Sequence, residues 1–143
     1  MSRIDRHEPR FVDAILAWSP TWFVARLALL STYLIGGVTK LGDWPSAVAE
    51  QIHFGMHPPE LTATLTILVE LVGSALILSG RLVWLAAGAM GVFTLLTAFI
   101  ASPFWTMQGQ ARFIALNDFF EHIGLVAAFV MVAIIAHRRP GRV

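Results

Sequence analysis

The sequence predicts an all-α membrane protein: a bundle of four spanning helices with a short re-entrant or interfacial helix in the first outer loop. Of its 143 residues 57% are apolar and only 13% are Asp, Glu, Lys or Arg. Soluble domains average about 45–50% and about 25%, so this chain lacks the polar surface to cover a globule in water. Four stretches reach the roughly 20 apolar residues that cross about 30 Å of hydrocarbon, and the basic residues between them fall mostly on one side. A net charge of +1 offers phosphates no basic face, so no nucleic-acid partner is expected. Without a cysteine the chain itself runs no dithiol chemistry and forms no disulfide or iron–sulfur site.

Residues 1–19 read as a cytoplasmic N-terminal segment. The run from Arg10 to Pro20 is too polar and too short for a signal-peptide core. Phe11, Ile15 and Trp18 recur at helical spacing, which fits either a turn lying on the membrane or a frayed tail. The first span covers 20–40, with Pro20 suited to a first helical turn. The loop 42–60 is too long for a bare connection. Trp44, Ala47, Val48, Ile52 and Phe54 predict a short helix over 45–54. Glu50, His53 and His57 have near metal-ligand spacing, but Gly55 and Pro58 interrupt the helix they need, and no metal is expected. The second span runs over 61–79 to Gly80, the third over 82–102 to Pro103, and the fourth over 118–137 to a basic tail at 138–143. Residues 20–137 form one domain without an internal repeat.

Arg3, Arg6, Arg10, Arg81, Arg138, Arg139 and Arg142 fall on one side, and only Arg112, with Lys40 at a rim, on the other. The positive-inside rule then places both termini in the cytoplasm and the loops 42–60 and 103–117 outside. Trp18, Trp22, Trp84, Trp44 and Trp105 fall at span ends, where indole rings favour the headgroup level.

Ionisable groups inside a span cost about 2.5–3.5 kcal/mol each and need partners. Arg26 lies about 6 Å to the cytoplasmic side of its span's midpoint, at about 1.5 Å per residue, and Glu70 lies near the midpoint of the next span. Arg26–Glu70 is therefore the first predicted intramembrane ion pair, with a functional or a purely structural role equally open. Lys40, Glu121, His122 and Asn117 form a shallower cluster opening outward, in which Lys40, Glu121 and His122 are the candidate catalytic residues. Trp105 and Arg112 in the second outer loop, with His57 and Asn117, are the candidate contacts for a flat ring such as a quinone head. An aromatic belt accounts for Phe104 and Trp105 equally well. Small residues (Gly36, Gly37, Gly73, Ser74, Ala87, Gly88, Gly91, Gly124 and Ala128) permit close helix packing within the bundle or between copies of the chain.

Arg26, the run Leu34-Ile35-Gly36-Gly37-Val38-Thr39-Lys40-Leu41, then Gly55-Met56-His57-Pro58, Glu70-Leu71-Val72-Gly73 and Leu78-Ser79-Gly80-Arg81, and finally Phe104-Trp105, Phe113 and Asn117 together resemble the DoxX family over about 22–132. The resemblance implies a small four-helix protein of the bacterial inner membrane, of a group linked to a thiosulfate:quinone oxidoreductase and to membrane complexes that handle oxidative and thiol stress. It carries over Arg26, Lys40, Glu70, Gly73, Trp105 and Asn117 as family positions. Relatives that act through thiols use cysteines, and this chain has none. Any redox role here rests on a bound quinone, a small oxidisable substrate or a partner protein, with no covalent cofactor. If the chain is an enzyme, it is a quinone-linked oxidoreductase subunit. A non-enzymatic scaffold that stabilises a partner in a membrane redox complex, a homo-oligomer and a small-solute transporter are the other readings.

Overall fold

The computed structural model describes residues 9–138, all of whose regular elements are helical. They are α1 (Arg10–Ala17), α2 (Ser19–Gly42), α3 (Trp44–His53), α4 (Pro59–Ser79), α5 (Val83–Ala101), a 3₁₀ turn at Phe104–Thr106, and α6 (Gly109–Arg138). Four of these, α2, α4, α5 and α6, are long and apolar enough to cross a membrane. Arg3, Arg6, Arg139 and Arg142 lie outside the described residues.

The buried faces follow from helical periodicity. Arg26, Leu30, Tyr33 and Gly37 line the inner face of α2; Ala63, Ile67, Glu70, Ser74 and Ile77 line that of α4; Val83, Ala87, Met90, Thr94 and Ala98 line that of α5. These spacings of three and four keep one stripe of each helix turned inward. Remaining faces carry exposed Leu, Ile, Val and Phe, the pattern expected where lipid replaces water.

Strong packing joins α5 to α6 and α2 to α4, whereas α2 barely touches α6. Gly37 permits the α2–α4 approach, because a Cβ there would stand 2.7 Å from Leu71 Cδ2 and 3.2 Å from Glu70 Cβ. Gly88 and Gly124, two of the expected packing glycines, instead meet nothing within 4 Å and face outward.

The turn between α4 and α5 is tight. Gly80 adopts φ 73°, and the amides of Gly80 and Arg81 donate to the carbonyls of Ile77 and Leu76. That pairing satisfies carbonyls the helix end would otherwise strand. At this near end of the bundle, Leu30, Tyr33, Ile77, Val83, Ala87, Met90, Phe129 and Val132 form one apolar core.

The opposite, far end is more elaborate. Asp43 caps α3: its Oδ2 accepts from the Ser46 hydroxyl at 2.7 Å and its Oδ1 from the Ser46 amide at 3.2 Å. These two bonds hold its carboxyl below the usual carboxylate range. α3 then lies against the start of α4, burying Ala47 and Gln51, as the expected short helix of the first loop.

Two expectations are corrected. α6 begins at Gly109, not near Asp118, so more than half of the expected 103–117 loop is helix. Ala111 through Leu116 contain no helix breaker, and Gly109, at φ 59°, marks the true start. At about 1.5 Å per residue, the 30 residues of α6 exceed the hydrocarbon thickness, so its first turns project beyond it. Trp22 is not solely an interfacial anchor, because its ring lies 5.1 Å from the Arg26 guanidinium.

Candidate functional site

The far half of the bundle interior is a cavity of about 540 Å³. All four spanning helices and α3 contribute to its wall, so it is a product of the whole bundle and of no single motif. Its deepest charged group is Glu70, 6% exposed on the inner face of α4.

Lys40 is the partner of Glu70. Its Nζ donates to Oε1 at 3.2 Å and to Oε2 at 3.4 Å, and lies 3.9 Å from Glu50 on α3. Lys40 belongs to the last turn of α2 yet reaches inward, because helical side chains lean toward the helix N-terminus. Gly36, one turn back, leaves room for it: a Cβ there would sit 3.5 Å from the Lys40 ammonium and 3.6 Å from both Glu70 oxygens.

The expected Arg26–Glu70 pair is therefore corrected. Arg26 is buried at 4% exposure, but its Nη1 donates to the Ile77 carbonyl at 2.8 Å. The same lean that brings Lys40 down to Glu70 takes Arg26 away from it, toward the C-terminal end of α4. Carbonyls there are electron-rich, and a cation is favoured.

A neutral layer floors the cavity. Tyr33 Oη and Thr94 Oγ1 are 2.6 Å apart, and Thr94 Oγ1 donates to the Met90 carbonyl at 2.7 Å. A hydroxyl has one proton, so Tyr33 must be the donor in the first bond. Tyr33 also packs edge-to-face on Phe129, centroids 5.5 Å apart, which closes the interior below this layer.

His122 on α6 is on the wall, half-buried, with Nδ1 2.6 Å from the Asp118 carbonyl. A carbonyl only accepts, so Nδ1 carries the proton and Nε2 is the ring's uncommitted nitrogen. Glu121, its neighbour, reaches the wall but is exposed, since adjacent helical residues point about 100° apart.

Lys40, Glu70, Glu121 and His122 thus meet at one cavity, while His57, Trp105, Arg112 and Asn117 lie outside its lining. Asn117 and Arg112 are exposed on the early turns of α6, and His57 is exposed before α4. Trp105 joins Phe99, Phe104 and Phe119 in an aromatic cluster clamping α5 to α6. Of the residues with near metal-ligand spacing, Glu50 turns to Lys40 and His53 meets Phe54 edge-to-face. Sequence reasoning missed Tyr33 and Thr94. Their signal was a tyrosine and a threonine in mid-span, with Tyr33 a heptad from Arg26 on the same face.

Fold and site together define a four-span membrane protein with a polar cavity buried in one half of its bundle. The DoxX family profile matches residues 21–103, more than half of the chain, and the protein belongs to the DoxX family. It is 26% identical over 125 residues to the inner membrane protein YphA of Escherichia coli (strain K12), an alignment covering 87% of this chain and 89% of that protein. No solved structure matches. The family match takes in α2 through α5, hence Lys40, Glu70, Tyr33 and Thr94; Glu121 and His122 come from beyond it.

Proposed function

We propose that this protein is an inner-membrane, quinone-linked redox component whose cavity receives the ring of a quinone or its reduced form. The inner-membrane placement follows YphA. The observation that carries the rest is the cavity itself. Its volume of about 540 Å³ lies within the range of about 300–1,000 Å³ typical of small-molecule sites. It combines apolar walls with a few convergent polar groups: Lys40 and Glu70 at one height, Tyr33 and Thr94 beneath, His122 to the side. Ring reduction adds two electrons and two protons, and oxidation removes them. The uncommitted Nε2 of His122 suits the proton exchange, with exposed Glu121 linking it to water, and Lys40 steadies charge building on a ring oxygen. Without cysteines, the electrons must pass to or from another member of the complex.

The test is titration of the purified chain in nanodiscs with a ubiquinone-type ring, followed by tryptophan quenching. The expected result is saturable binding that weakens about tenfold in His122→Ala. Absence of saturable binding overturns the proposal. A second reading is a non-enzymatic subunit that stabilises a membrane partner or a second copy. Native-membrane cross-linking to a defined partner, with no ring binding, supports that reading instead.

A further inference from the structure

We infer that Gln51 of α3 recognises the ligand's head, and that with His122 of α6 it selects a flat ring bearing oxygens on two opposed edges. This rests on the quinone-site reading and deepens it by naming a specificity-determining side chain.

Gln51 is 7% exposed while its neighbour Ile52 is 56% exposed, so the fold turns the amide inward and the isoleucine outward. An amide that leaves water without a hydrogen-bond partner costs free energy. The other wall side chains that are both polar and buried have such partners: Glu70 takes Lys40, and Tyr33 takes Thr94. Gln51 makes no side-chain hydrogen bond among the described residues, yet its amide is not sealed in protein as Arg26 Nε and Ser74 Oγ are. The amide therefore keeps one open side, and the space that Gln51 lines is the cavity.

α3 holds this amide in place. Ala47, one turn earlier on the same face, is buried and lets α3 close on α4. At the other end of the helix, the carbonyls of Glu50, Gln51 and Ile52 accept from the amides of Phe54, Met56 and Gly55 at 2.9–3.1 Å. That closed turn satisfies the helix end and fixes the backbone that carries Gln51. Phe54 and Met56 also line the cavity, so apolar wall adjoins the amide.

The selection comes from where the two polar groups stand. α3 packs on α2 and α4 and does not approach α5 or α6, whereas α6 packs chiefly on α5. Gln51 and His122 thus reach the cavity from elements that do not meet, and the open space lies between them. A head with one oxygen engages one of these walls; a ring with oxygens on opposite edges engages both. An amide has N–H donors and a carbonyl acceptor. Gln51 can therefore donate to a ring carbonyl or accept from a ring hydroxyl, and it holds the ring in either redox form. At the second oxygen, the proton sits on the ring or on His122 Nε2. Gln51 exchanges no proton; it positions the ring.

Calorimetric titration of the full-length chain in nanodiscs tests this, using a decyl-substituted quinone, its hydroquinone and decylbenzene, whose ring has no oxygens. Gln51→Met keeps the side chain's length and removes its hydrogen-bonding groups. It should weaken quinone and hydroquinone alike by about tenfold, the worth of one hydrogen bond. In the His122→Ala background the same change should cost about a further tenfold, as two separate contacts do. Decylbenzene should bind wild type and Gln51→Met equally. Without ligand, Gln51→Met should melt at the wild-type temperature or above it, because the amide loses no protein partner. Undiminished quinone binding by Gln51→Met, no further loss in the His122→Ala background, or a loss shared by decylbenzene overturns the inference and leaves the quinone-site reading intact. So does a Gln51→Met chain that melts several degrees lower or fails to fold, which makes the amide structural. If the wild type binds no ring at all, the quinone-site reading falls and this inference falls with it.

Discussion

Arg26 and Lys40 stand two heptads apart on α2, and each lies over the residue one turn before it: Arg26 over Trp22, Lys40 over Gly36. That common lean decides their partners. Lys40 descends to Glu70, and Arg26 descends to the Ile77 carbonyl. Depth along the span, counted at the Cα atoms, suggests Arg26–Glu70, because it ignores where a long side chain travels. The expected consequence is measurable by unfolding in mild detergent. Lys40→Met should cost about 3 kcal/mol, since it strands a buried carboxylate, and Glu70→Gln in that background should restore most of the loss. Arg26→Met should cost about 1.5–3 kcal/mol, the worth of a charged hydrogen bond, whatever occupies position 70. A double-mutant cycle showing strong Arg26–Glu70 coupling and none for Lys40–Glu70 would reverse this assignment.

Among the elements, the α2–α4 seam carries the site, because it sets Lys40 against Glu70. Its closeness depends on Gly37, and the neighbouring Gly36 provides the contrast. Gly37→Ala should cost roughly 1–3 kcal/mol, as overpacking does, since the new methyl meets Leu71 at 2.7 Å. Gly36→Ala, whose nearest neighbours are 3.5 Å away or more, should be close to neutral in thermal melts; equal losses in both would refute the seam's role. α3 was legible beforehand because its apolar spacing survives in a short segment, whereas its Asp43 cap emerged only with the structure. The early turns of α6 were not. Asn117-Asp118 looks like a helix start, and a hydropathy window sized to the membrane trims the amphipathic turns that continue beyond it. That trimming put Asn117 and Arg112 in a loop above the site, whereas they stand on the outward side of a helix.

Across the whole molecule the interior divides into a mainly apolar near half, which also buries Arg26 against the Ile77 carbonyl, and a polar far half, with Tyr33 and Thr94 at the boundary. Arg81 and Arg138 lie at the near end and Arg112 at the far end. The near end is therefore expected in the cytoplasm and the cavity toward the outer face. The lack of cysteines makes this simple to check. Single cysteines replacing Ser46 and Ser79, both exposed, should label in intact cells with a membrane-impermeant maleimide at position 46 and not at 79; the opposite pattern inverts the topology.

The number of spans, the short helix of the first loop and the presence of costly ionisable groups in the membrane were determined by the sequence alone. Each depends on local composition and period, which hydrocarbon reads one helix at a time. Which charge meets which, that Tyr33 and Thr94 close the floor, and that Trp105 clamps helices outside the cavity were decided only by the tertiary structure. Partnership depends on side-chain direction and on helix approach, and both are set by contacts between segments far apart in the chain.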